Sequence, residues 1–581
     1  MKVRIFLLFS CFSLALPVLR LDVAGANHVA LNNEIAYLHV DRNIYVAGEN
    51  LFFKLYLFDT NTHQLSHNSK IAYLVLRNKY NIPIVNLKLK VNKGMASGSI
   101  SLPDSLSSGP CQLVVFTYWM KNDGKESFFR KEIFIANRFD KSQLKINKIS
   151  NLITENENSI FYQVDSSWKV LSEKTEYKRR EKIKLSFSLP EVFTDDTAFL
   201  SISVREVEPG IRNDNSIQNY LATSNYQLGL KPTGNDNFLF LPESKGEIIQ
   251  GKVLNRDSHK AVANTVVFLS AVDTVVNLQY SYTDTSGIFR FLLNDYYIGK
   301  DLYFSAKDHL ANQPFDILLD KKFELKNGFK PSGYTDNQEL KLYMLKIQDI
   351  VTIQKTYNAL NANESVLRKT SGYNYRQLYN KPSYSIHPSD YVPLNDFLEI
   401  TREILPPQIS LKKIEDKYIA NLADENLKLF MGEPPSIFLD GVSVDNLDPL
   451  MKLGSDKIDR IELICNRYNC GELVFPGILA VFSKKQEIKN LELSSGKLRM
   501  QLDGYYASST FSSPDYSIKI PGNLPDFRQL LYWNPNITIT SDNKQLPEFY
   551  ASDHSGNYII CIEGITSKGV PVSMRTVIKV K

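Results

Sequence analysis

Beyond its first 26 residues this 581-residue sequence has no apolar run near the roughly 20 residues that a membrane-spanning helix needs, which excludes a helical transmembrane protein. Histidine is sparse, with eight residues, and dispersed. Only His63 and His67 stand close together, in a loop with no nearby cysteine, and they read as exposed loop residues, not as a transition-metal site. Charge of one sign is also missing. The formal charge is +5, and the basic residues are scattered and matched by acids, so nucleic acid is not a favoured partner. There is no Gly-x-Ser-x-Gly elbow, no His-Glu-x-x-His helix and no glycine-rich phosphate loop. Catalysis therefore has no recognisable carrier, and neither an enzyme nor a cofactor is expected.

What is present points to β-structure and export. Lys2 and Arg4 precede an apolar run from Ile5 to Leu19, and Ala24-Gly25-Ala26 offers a small-residue cleavage site, so residues 1–26 read as a secretory signal. Lipid attachment at Cys11 is the alternative. Both readings place the mature protein in the periplasm, at the outer membrane or on the cell surface. Four cysteines remain: Cys111, Cys465, Cys470 and Cys561. In an oxidising compartment Cys465 and Cys470 are candidates for a local disulfide; two buried free thiols are the other reading. Thirty-one tyrosines and 32 phenylalanines, among many Val, Ile and Thr runs, favour strands. The length suits several domains.

The expected fold class is mainly β: several immunoglobulin-like sandwiches in series, with a small α+β unit and a few short helices. Residues 34–140 form the first sandwich, with Leu51, Phe53, Leu55 and Leu57 on one strand face. Tyr177, Glu181, Ile183, Leu185 and Phe187 repeat the pattern of Tyr45, Glu49, Leu51, Phe53 and Leu55, which places a second sandwich with a polar linker at 160–245. Its linker runs from Gly210 to Asn237. The two tyrosines read as aromatics that stabilise a turn. A third sandwich spans 246–318, where Asp284 to Gly287 form a turn and Phe289 and Phe291 point inward. Residues 319–433 are irregular apart from a helix over 336–360, striped by Leu340, Met344, Ile347 and Val351, and a short helix before Pro406. In the 434–485 unit, Leu439-Asp440-Gly441-Val442 signals a hairpin. A short helix and the strands Ile458 to Ile464 and Gly477 to Lys484 complete it, and 486–581 is expected to be a separate C-terminal β-domain.

Three resemblances sit on these residues. Asp41-Arg42-Asn43-Ile44-Tyr45-Val46-Ala47-Gly48-Glu49 and its following strand resemble a macroglobulin-type domain. Thr283-Asp284-Thr285-Ser286-Gly287-Ile288-Phe289-Arg290-Phe291, after Lys260 to Leu269, resembles a carboxypeptidase regulatory-like domain. The Leu-Asp-Gly-Val turn, Ile458-Asp459-Arg460-Ile461-Glu462 and Gly477-Ile478-Leu479-Ala480-Val481-Phe482-Ser483-Lys484 resemble the plug of TonB-dependent outer-membrane receptors. Cys470-Gly471-Glu472-Leu473 is similar to the macroglobulin thioester motif, but Leu473 replaces the glutamine that supplies the acyl group. A receptor barrel needs about 22 strands, and only 96 residues follow Lys485. The resemblances imply a non-enzymatic envelope protein that docks on an outer-membrane β-barrel protein or secretion complex. Asp440, Gly441, Arg467, Tyr468 and Phe475 are the expected docking surface. The alternative is a macroglobulin-like trap without a thioester, with 213–237 as its bait.

Overall fold

The computed structural model describes residues 34–140, 168–190, 196–209, 216–228, 239–307, 314–325, 328–331, 338–358, 377–415, 417–493, 496–506, 510–518, 525–540 and 547–581. The chain is mainly β, built from several sandwiches. In the first, Glu34–Val40, Asn50–Asp59 and Met95–Ser101 face a five-stranded sheet that includes Ile71–Asn78 and Gly109–Phe116. Leu51, Phe53, Leu55 and Leu57 fill its core as the alternation requires. The alternate residues Phe52, Lys54 and Tyr56 are buried too. Their face lies against the second sandwich, where Lys54 Nζ donates to Asn536 Oδ1 (2.8 Å) and Tyr56 donates to Ser201 Oγ (3.1 Å).

The second sandwich corrects the expected division of the chain. Thr197–Glu206 is an interior strand of a sheet whose other long strands are Leu530–Thr540, Gly556–Thr566 and Pro571–Val580. Ile202 stands opposite Asn534 on one side and Ile562 on the other. Glu548–Tyr550 pairs with Lys182–Ser188 in the facing sheet. Residues 168–206 and 530–580 thus share one core, and 486–581 is not a domain of its own. A strand buried on both faces needs partners at both edges, and the local chain supplies neither. The expected polar linker also contains a helix, Ile217–Leu228. Ile217 and Leu221 reach the first core, and the Ile217 N–H donates to Glu563 Oε2 (2.9 Å).

The third sandwich packs Phe289, Phe291 and Phe304 with ring centroids 5.8–6.2 Å apart. Asp284 acts as a turn former: its Oδ1 accepts from the Ser286 and Ile288 N–H groups (2.8 and 3.0 Å), and Gly287 has φ +75°. One edge strand, Lys497–Gln501, arrives from beyond the α+β unit and pairs with Asp301–Lys307. The helix Gln338–Asn358 lays Leu340, Met344, Ile347 and Val351 on Ile44, Val46, Phe134 and Ala136 of the first sandwich.

The α+β unit is a five-stranded sheet in the order Tyr384–Ile386, Ile458–Ile464, Ile478–Ser483, Ser436–Leu439, Val442–Val444. It is larger than 434–485. The helix Phe397–Glu403 and the ribbon of Ile409–Ile414 with Lys417–Leu422 close one face of the same sheet. Among the described residues no helix is long and apolar enough to cross a membrane.

Candidate functional site

Asp440 and Gly441 form the hairpin that the sequence predicts, with φ of 50° and 83° and Leu439 paired with Val442. They are not a free docking surface. Asp440 is 2% exposed. Its carboxylate accepts from the Ser483 N–H (2.6 Å), the Ser483 hydroxyl and the Ile488 N–H (3.1 Å), while burial holds its pKa above the usual carboxylate range. The Asp440 carbonyl accepts from the Asp273 N–H (3.1 Å) of the third sandwich. A Cβ on Gly441 would stand 2.7 Å from the Val275 carbonyl oxygen. The turn is seated on the neighbouring unit and secured around its rim. Asp445 pairs with Lys497 (2.6 Å), Lys489 pairs with Asp301 (3.0 Å), and Arg460 donates to the Thr274 carbonyl.

The other expected docking residues scatter. Phe475 is buried. Tyr468 is half-buried and donates to the Leu378 carbonyl, and only Arg467 is well exposed, in an ion pair with Glu433 (2.7 Å). The Cys465–Cys470 disulfide is not formed, and both thiols are free. Cys465 points into the core on one face of the sheet, where burial pushes its thiol up to about 11. Cys470 sits in the hairpin on the opposite face. Gly471 and Glu472 form that hairpin's tip, and the Glu472 N–H donates to Tyr280 of the third sandwich (3.2 Å).

What the α+β unit leaves open is the end away from Asp440. There Leu427, Leu429 and Phe430 are 51–71% exposed, while Ile414 and Ile419 (52% and 40%) lie toward the turn of the ribbon and Val474 (56%) lies in the Tyr468–Cys470 hairpin. Phe430 bridges Ala423, and the Glu425 N–H donates to the Cys465 carbonyl, which ties this loop to the end of the Ile458–Ile464 strand. The sequence carries a signal for this patch in Leu427-Lys428-Leu429-Phe430, apolar residues in the loop that follows the ribbon.

The repeated tyrosines are structural. Tyr45 donates to Asp41 Oδ1 (2.8 Å) and accepts from the Arg42 N–H (3.2 Å), while Glu49 accepts from the Val46 N–H (2.7 Å). Tyr177 accepts from the Lys174 N–H (3.0 Å) and Glu181 from the Lys178 N–H (2.7 Å), in the same geometry. The first turn also joins the two sandwiches. Glu208 accepts from the backbone N–H groups of Asn43 and Ile44 (both 2.9 Å) and from the Asn43 amide (2.7 Å).

Sequence reasoning missed a buried polar cluster at the same junction. His39 Nδ1 lies 2.7 Å from Ser201 Oγ, its Nε2 has no partner, and its ring packs on Trp533. Ser201 is 0% exposed, so no substrate reaches this Ser–His pair. Burial, reinforced by Arg205, Lys131 and Arg575, lowers the His39 pKa well below 6.5. The histidine stays neutral in the fold and takes up a proton only on unfolding. Its contribution is present above about pH 6.5 and is lost as the pH falls below it. His39→Gln is therefore expected to lower the dependence of the urea midpoint on pH between 7.5 and 5.0. Among the described residues, no group of three or more His, Cys, Asp or Glu side chains is placed to hold a metal ion.

The chain matches no protein-family profile and no curated protein. Among solved structures it is similar to Escherichia coli α2-macroglobulin activated by porcine elastase, at 8% identity and a TM-score of 0.24, over 94% of this chain and 44% of that one. The native conformation of the E. coli protein gives 9% identity and a TM-score of 0.23, over 95% and 40%. The E. coli adhesin FdeC gives 8% and 0.14, over 49% and 63%. The chain spans less than half the length of these macroglobulins. Scores this low carry no inference about arrangement or activity.

Proposed function

We propose that the chain is a non-enzymatic, multi-module envelope protein that docks on an outer-membrane β-barrel protein. The observation that carries the reading is the exposed apolar end of the α+β unit around Leu427, Leu429 and Phe430. Three large apolar side chains exposed within four residues are the kind of surface that marks a protein contact. The opposite end is occupied by the third sandwich, so docking proceeds through the ribbon end and Arg467, not through the Asp440-Gly441 turn. The plug-like and regulatory-like patterns in the sequence supply the class of partner. Replacing Leu429 and Phe430 together by lysine is expected to abolish recovery of a β-barrel partner, identified by mass spectrometry after crosslinking in intact cells. Undiminished recovery of the same partner, or recovery of no barrel by the unaltered chain, refutes it. The trap reading has less support. Its bait, 213–237, contains the helix Ile217–Leu228, anchored on Glu563, and 213–215 and 229–237 lie outside the described residues.

A further inference from the structure

A cavity of about 350 Å³ opens where the first sandwich, the third sandwich and the chain after Lys497–Gln501 meet. That volume is at the small end of ligand pockets. Its floor is an ion-pair network: Lys322 Nζ donates to Tyr73 (2.9 Å), Glu243 (2.7 Å) and Glu247 (3.2 Å), which uses all three of its protons. Lys88 is 7% exposed, lines the cavity, donates one proton to Glu247 (2.5 Å) and stands 5.5 Å from the centre of the Tyr505 ring, so its other two N–H groups have no hydrogen-bond acceptor among the described residues. Asp320 binds Tyr118 and Gln250 through Oδ2 alone, which leaves Oδ1 as an acceptor. At the rim, Asn86 and Asp503 have exposed side chains with no partner among the described residues, and the Gln501 amide oxygen has none there either. Phe323, set edge-on to Tyr73 at 5.3 Å, and Met500 give the wall an apolar patch.

We infer that this cavity binds a neutral saccharide unit. Lys88 and Lys322 stand beside Glu247, Asp320 and Asp503, so both signs line the space and neither an anion nor a cation is selected. A ligand must instead accept from Lys88, donate to the carboxylates, exchange hydrogen bonds with amides that both donate and accept, and lay an apolar face on Phe323. Vicinal hydroxyls on a ring with an apolar C–H face meet all three demands.

The test is saturation-transfer NMR on the whole chain with glucose, galactose, mannose, N-acetylglucosamine and their disaccharides. Glucuronate and diglycine serve as charged and zwitterionic comparisons. Transfer to at least one neutral sugar is expected, weakened ~10-fold, the effect of one lost hydrogen bond of about 1.4 kcal/mol, in both Gln501→Ala and Asp503→Ala. Those rim residues are exposed and outside the core, so their variants fold. Circular dichroism checks this, and Phe323→Ala probes the wall. No transfer to any neutral sugar, transfer unchanged in both rim variants, or stronger transfer to glucuronate or diglycine overturns the assignment.

Discussion

Glu208→Ala is expected to destabilise the chain by about 3–5 kcal/mol, because it leaves buried donors unpaired at the junction of two sandwiches. The carboxylate is 8% exposed and accepts three N–H bonds from Asn43 and Ile44. Arg205, 3.7 Å away and equally buried, would also lose its nearest anion. Alanine fills none of that space and accepts nothing. Glu208→Gln keeps an acceptor oxygen and should cost only about 1–2 kcal/mol. Guanidinium denaturation of the two variants beside the unaltered chain checks both values. Equal small losses would mean that Glu208 does not hold the junction.

The second large effect is expected at Gly441. Its φ of +83° disfavours any residue with a Cβ, at about 1–2 kcal/mol. The added carbon would also meet the Val275 and Ala271 carbonyl oxygens at 2.7 and 3.0 Å. Gly441→Ala should therefore destabilise by about 3 kcal/mol in total and push the turn off the third sandwich. The readout is local: the Asp273 N–H donates to the Asp440 carbonyl. Its hydrogen exchange should accelerate in the variant, while amides in the Thr197–Glu206 strand stay protected. Unchanged protection at Asp273 would show that the two units are held together elsewhere.

Local chemistry was legible in the sequence. The period-two run Leu51 to Leu57, the inward Phe289 and Phe291, the left-handed Asp440-Gly441 turn and the Tyr45 and Tyr177 turns all depend on residues within a few positions of each other. Pairing across hundreds of residues was not. Ile202 meets Ile562, and Leu302 meets Met500, because each central strand needs an edge partner and any strand of matching burial would satisfy the local pattern. The site shows the same limit. The sequence identifies Asp440-Gly441 as a turn but carries no mark of the Val275 carbonyl that covers it. Lys88 looks like a solvent residue in the strand Pro83–Lys90, and in the fold Glu247 and Tyr505, both distant in sequence, lie against its ammonium.

The central claim is that the α+β unit turns its hairpin inward and its apolar ribbon end outward. Photo-crosslinking side chains introduced singly at Leu427, Phe430 and Ser443 in living cells test it most directly. The account predicts intermolecular products with one β-barrel protein from Leu427 and Phe430, and none from Ser443 beside the seated turn. Intermolecular products with a barrel from Ser443, and none from Leu427 or Phe430, would contradict it.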